Sequence, residues 1–127
     1  MEEQNQKQVI AGLAAQFKEV FEGSHQAMYA YLDDGHKVCN EKFASLLGYS
    51  SPEEWAQVAE SFPTAFVAEQ SQSVLVHAFQ HAMEEKIASH IEVTWKKKDG
   101  GEVATKVILV PVAFQEELLA IHFVEQL

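Results

Sequence analysis

The chain is 127 residues long, 47% hydrophobic and 22% charged, which is enough length and apolar content for one domain with a real core and argues against disorder. Nineteen Asp and Glu face nine Lys, no arginine is present and the net charge is −10; without a cationic surplus or a guanidinium fork, nucleic acid is not an expected partner. No apolar run approaches the roughly 20 residues that cross a bilayer, and the acidic, Gln-rich start lacks a signal-peptide pattern, so no membrane contact and a cytoplasmic location are expected.

Residues 1–23 read as an amphipathic N-terminal helix, and residues 24–127 as the domain proper. Ile10, Leu13, Phe17 and Val20 recur three and four apart, with Val9, Ala14 and Phe21 widening the stripe. The stripe is too short for a coiled coil. It fits either a helix packed on its own domain or a dimer contact, for which Ile10, Leu13, Phe17 and Val20 are the candidates. Gly23-Ser24 breaks the helix.

Ala27 to Leu32 alternates as a strand, with Tyr29 and Tyr31 on one face and Met28, Ala30 and Leu32 on the other. Asp34-Gly35 suits a two-residue hairpin turn that needs positive φ, and His36 to Cys39 is the return strand. Asn40 offers a side-chain oxygen to a helix start, Phe43, Leu46 and Leu47 share a face, and Gly48 stands where a left-handed residue ends a helix. Ser51-Pro52-Glu53-Glu54 opens a second short helix as a capping box with proline in its first turn.

Phe62-Pro63-Thr64 predicts a bend, and Phe66 and Val67 lead into a helix reaching about Lys86. On it Leu75, Ala78, Phe79 and Ala82 group on one side, with His77 and His81 on the opposite, polar side. A histidine pair at i, i+4 has metal-chelating spacing, but its polar face makes solvent exposure the expectation, and no metal site is assigned. Ile91, Val93 and Trp95 alternate as a strand with one wetter face. Asp99-Gly100-Gly101 turns the chain, with Lys96, Lys97 and Lys98 as a solvated hairpin end. Val103 to Phe114 returns, apolar on both faces from Val107 to Val112, with Pro111 marking an edge or bulge. After a turn at Gln115-Glu116-Glu117, Leu118 to Val124 is the last strand.

Catalytic signals are lacking. Cys39, the single cysteine, has no paired base and reads as a small buried hydrophobe at a strand end. No nucleophile elbow, phosphate-cradling glycine loop or His-Glu-x-x-His is present. His25, His36, His90 and His122 are scattered, and no catalytic residue is assigned.

Taken in order, Asp-Asp-Gly, the strand ending in Asn40, Lys42-Phe43-x-x-Leu46-Leu47-Gly48-Tyr49-Ser50, Pro52-Glu53-Glu54 and Lys98-Asp99-Gly100 resemble a PAS sensory domain across roughly residues 27–124. The resemblance implies an α+β fold: a five-stranded antiparallel sheet with short helices and the Leu75 helix on its inner face, and an N-terminal flanking helix that often joins two subunits. It implies a sensory or regulatory module, not an enzyme, that binds a small apolar ligand or signals as a homodimer, with a protein partner in trans also in view.

Apolar residues on the elements that line the family's cavity are Phe62, Phe66, Leu75, Phe79, Val93, Leu109 and Ile121; Asn40 and Gly48 are structural positions. The reactive-cysteine run of covalent flavin binders and the Cys-x-x-Cys-His of c-type haem are missing, so neither cofactor is expected. A haem-binding variant would need an inward histidine, which His77 and His81 do not supply. The alternative from another class is a small cone-shaped, ketosteroid-isomerase-like enzyme, which requires a carboxylate inside its pocket.

Overall fold

The structure is a computed structural model that describes residues 2–127, with side-chain detail from Asn5 onward. Five strands, β1 (Ala27–Asp33), β2 (His36–Cys39), β3 (Ser89–Lys96), β4 (Glu102–Phe114) and β5 (Glu117–Gln126), form one antiparallel sheet in the order β2-β1-β5-β4-β3. Six helices accompany it: α1 (Glu2–Gln16), α2 (Lys18–Gly23), α3 (Glu41–Leu46), α4 (Pro52–Ala56), α5 (Phe62–Phe66) and α6 (Glu69–Glu85). Helices α3 to α6 cover one face, so the α+β architecture expected from the sequence is the one observed.

The sheet separates two apolar clusters. The inner one joins Tyr29, Phe43, Trp55, Phe62, Phe66, Trp95 and their neighbours. The outer one sets Val9, Leu13 and Phe21 from α1 and α2 against Met28, Ala30, Leu119 and Ile121. Strand parity makes this division, because Tyr29 and Tyr31 point to the inner face while Met28, Ala30 and Leu32 point to the outer.

Local chemistry places the helices. Asn40 caps α3 by accepting the Phe43 N–H at 3.0 Å, and Gly48 leaves that helix at φ 86°. The Ser51 hydroxyl accepts the Glu54 N–H at 3.1 Å with Pro52 in the first turn, and the Glu54 carboxylate reaches back to the Ser50 N–H at 2.7 Å. This is a capping box displaced by one residue.

Three local expectations are corrected, and a fourth, the solvated lysine end, is extended. Neither Asp34 nor Gly35 adopts positive φ; the Asp33 carboxylate accepts the Gly35 N–H at 3.0 Å, and the register shifts between Tyr31 and Asp33. The bend at Phe62-Pro63-Thr64 is the helical turn α5, in which Pro63 sits early enough to lack no hydrogen bond. The N-terminal helix is divided at Phe17, whose backbone leaves the helical region at φ −101° and ψ 13°. The lysine hairpin end is anchored: Lys98 donates its backbone N–H to Leu47 O at 2.7 Å, and its ammonium meets Glu54 at 2.6 Å. Pro111 lies beyond the last β3–β4 pair, Ser89 with Leu109, where β4 is itself an edge.

Candidate functional site

Tyr29 stands at the centre of the inner cluster because β1 is flanked by β2 and β5 and roofed by the capped helices. Its ring lies 4.7 Å from Phe43, 5.5 Å from Phe62, 5.7 Å from Trp55 and Trp95, and 3.9 Å from the parallel His122 ring. Those partners come from α3, α5, α4, β3 and β5, so nearly every inner element contributes one ring. Burial of aromatic rings at these spacings is the main cohesive force of the inner layer.

Among the described residues, three buried polar atoms of this shell have no hydrogen-bond partner: the Tyr29 hydroxyl, Trp55 Nε1 and His122 Nδ1. Trp95 is the contrasting case, since its Nε1 donates to Thr105 Oγ1 at 2.8 Å, and that hydroxyl donates to Val93 O at 2.8 Å. Burial pushes the His122 pKa down to about 3, against the opposing pull of the Ala120 and Tyr29 carbonyls, so the imidazole is neutral at pH 7. Burial also raises the Tyr29 hydroxyl well above the usual tyrosine range, with the nearby Tyr31 adding to it. The interior therefore presents neutral hydrogen-bonding groups in an apolar shell.

A polar clasp closes the β1–β2 end. Tyr31 donates its hydroxyl to Asp34 Oδ1 at 2.7 Å, and the same oxygen accepts the Phe62 N–H at 3.0 Å. Lys37 turns inward from β2 and donates to the carbonyls of Asp34, Ala56 and Val58 at 2.7, 3.2 and 2.8 Å. Its ammonium lies 5.4 Å from the Trp55 ring centre and 5.7 Å from that of Phe66, within cation–π range. Burial lowers its pKa, opposed by Asp34 and Asp33. The clasp ties the hairpin to the end of α4 and the start of α5.

Of the sequence-assigned lining residues, Phe62, Phe66, Leu75, Val93 and Leu109 are brought together in the inner cluster, and Phe79 packs edge-on to Tyr31 at 5.1 Å. Ile121 is not among them. The β5 residues that point inward are Ala120, His122 and Val124, and Ile121 meets Val9 and Leu13 on the other face. Asn40 is a four-bond junction: its oxygen accepts Met28 N–H and Phe43 N–H, and its amide donates to the carbonyls of Phe21 and Gln26.

Leu13 is fully buried within its own chain, Ile10 and Phe17 pack beside it, and Val20 is 52% exposed. His77 and His81 are exposed with ring centres 5.0 Å apart, and His81 meets Glu85 at 3.1 Å. Sequence reasoning passed over His122, Trp55 and Lys37. The signal for His122 was a single polar residue in an otherwise apolar strand.

Burial pushes the Cys39 thiol up to about 12, which keeps it protonated and unreactive. The buried polar residues among those described are His36, Lys37, Asn40, Ser71, Thr105 and His122, without the interior carboxylate that an isomerase-like site needs.

No family model and no curated protein sequence matches the chain. Solved structures do match. The PAS domain of a two-component sensor histidine kinase is similar at 13% identity and TM-score 0.67, covering 92% of this chain and 99% of its own. A PAS domain from Colwellia psychrerythraea gives 16% identity and TM-score 0.70, covering 91% and 97%. The PAS domain of an HTR-like protein from Haloarcula marismortui gives 16% and 0.64, covering 98% and 99%. Each superposition covers at least 91% of this chain, and the chain has the fold of a PAS domain.

Proposed function

We infer that the chain is a non-enzymatic sensory or regulatory module whose inner layer takes up a small, neutral, hydrogen-bonding molecule with an apolar body. The observation that carries this reading is the trio of unpaired buried groups, Tyr29 hydroxyl, Trp55 Nε1 and His122 Nδ1. Each such group costs free energy when empty-handed, so a ligand that pairs with them gains what the free protein lacks. An ionised ligand is disfavoured, because the Lys37 ammonium at the edge of the ring shell already gives its three N–H donors to the Asp34, Ala56 and Val58 carbonyls, leaving none to compensate the ligand's desolvation. Likeness to the PAS domain of a sensor histidine kinase supports the regulatory role, and output would pass by association with a second copy or a signalling protein.

A second reading, a filled scaffold acting only through association, is favoured by the closeness of the rings around Tyr29. Native mass spectrometry and absorbance of freshly purified protein, followed by thermal-shift titration with phenol and indole, separate the two. Retained mass or a saturable shift that disappears in Trp55→Phe and His122→Phe supports ligand uptake. No retained mass and no shift with either probe would leave the scaffold reading.

A further inference from the structure

β3 is an outermost strand, and only half of its free edge is closed. Thr94 directs both backbone groups off the sheet: its N–H donates to Ser71 Oγ at 2.9 Å, and its carbonyl accepts the Ala68 N–H at 2.9 Å. Val67 forms an isolated bridge to Trp95 alongside. Backbone groups alternate sides along a strand, so His90 and Glu92 present their N–H and C=O on that same edge. Among the described residues, no hydrogen bond reaches them there.

The open half carries further marks of a contact surface. Between α6 and β3 runs a cleft of about 340 Å³ lined by Val74, His77, His81, Ser89 and Ile91. Val74, in its lining, is 43% exposed, and Ile87, in the segment that joins α6 to β3, is 48% exposed. An unpaired edge beside uncovered apolar side chains is a template for strand addition.

We propose that this half-edge pairs with the same segment of a second copy, antiparallel about a twofold axis at Ile91. In that register His90 lies opposite the partner's Glu92, and Glu92 opposite the partner's His90. Both pairs use the outward-facing backbone groups, so each exchanges two hydrogen bonds. Both also set an imidazole against a carboxylate on the exposed sheet face. Centring the axis on Glu92 instead sets two carboxylates against each other in a chain of net charge −10, and centring it on His90 sets Glu92 opposite Ala88, so that no imidazole–carboxylate pair forms. The sequence His-Ile-Glu is thus complementary to itself when reversed, as an isologous contact requires. Thr94, already paired within its own chain, ends the ladder and keeps it short. The surface lies away from the ring shell, so its success or failure is independent of ligand uptake.

Sedimentation velocity over a range of concentrations tests the pairing, and a concentration-dependent dimer is expected. Glu92→Pro removes an edge donor without touching the β4 ladder and should weaken the dimer on the order of thirtyfold, one donor being lost from each copy. Should that variant not fold, Glu92→Lys, which faces the partner's His90, should weaken it, and adding His90→Glu should restore it. Ile91→Cys should form an intermolecular disulfide on oxidation, because opposed residues of a non-hydrogen-bonded pair stand about 4.5 Å apart at Cα. A monomer at all concentrations, or a dimer unaffected by the Glu92 substitutions, would overturn the proposal.

Discussion

Tyr29→Phe is the cleanest probe of the inner layer. It deletes one oxygen while keeping the ring stacked on His122 at 3.9 Å and packed on Phe43 and Trp55. A partnered tyrosine hydroxyl normally contributes about 1 kcal/mol, so its loss destabilises. Here the hydroxyl is buried and unpaired, and removing it relieves a desolvation penalty of about 1–3 kcal/mol. The ligand-free variant should therefore be more stable by roughly 1–2 kcal/mol, allowing for loss of packing around the missing atom. With a urea slope of about 1–2 kcal/mol per molar, the midpoint should rise by about 1 M at unchanged slope. The same variant should gain less from a bound phenol or indole, since one of the ligand's partners is gone. A midpoint lowered by half a molar or more in protein shown by mass spectrometry to be empty would mean that the hydroxyl is already satisfied, and would refute the reasoning.

Three further outcomes are expected. His122 carries a folded pKa of about 3 against about 6.5 in the unfolded chain; the unfolded state then binds the extra proton between those values. Stability contributed by the neutral ring is full above about pH 6.5 and falls as pH drops towards 3, by up to about 1.4 kcal/mol per unit. Urea titrations at pH 7 and pH 5 should show that slope reduced in His122→Phe, and an identical slope in both proteins would count against it. Lys37→Met removes the ammonium that gathers the Asp34, Ala56 and Val58 carbonyls and should cost about 2–4 kcal/mol in urea unfolding; a loss below about 0.5 kcal/mol would show the clasp to be incidental. Gln115 and Glu116 hold φ of 51° and 68° between β4 and β5, so replacing them with Asn-Gly should raise stability by about 1 kcal/mol in a thermal melt. A lowered melting temperature would mean that their side chains contribute more than the backbone strain costs.

What the sequence disclosed follows the range of the forces involved. Asn40, Gly48 and Ser51-Pro52 act on groups two to four residues away, and their caps and helix ends were readable directly. Strand alternation also placed Tyr29 and Tyr31 together. Ile121 was misplaced because β5 is apolar on both faces, and only the coverage of the outer face by Val9 and Leu13 decides which parity points inward. The hairpin at Asp34-Gly35 was foreseen for the wrong reason, as Asp33 closes it through its carboxylate. Conversely, the left-handed pair Gln115-Glu116 carries no glycine or asparagine to announce it. Lys37 was invisible because its partners lie at Ala56 and Val58, two helices further along, where long-range geometry alone brings a cation to carbonyls.

The junction at Asn40 makes the N-terminal segment answerable to the inner helices. One amide plane joins the end of α2 at Phe21, the entry to β1 at Gln26 and Met28, and the first turn of α3 at Phe43. Whatever displaces α2, whether a neighbouring domain or a docked protein, must either carry that plane along or strip a carbonyl from it. In the first case Phe43 tilts against Tyr29, and a disturbance begun on one side of the sheet arrives on the other.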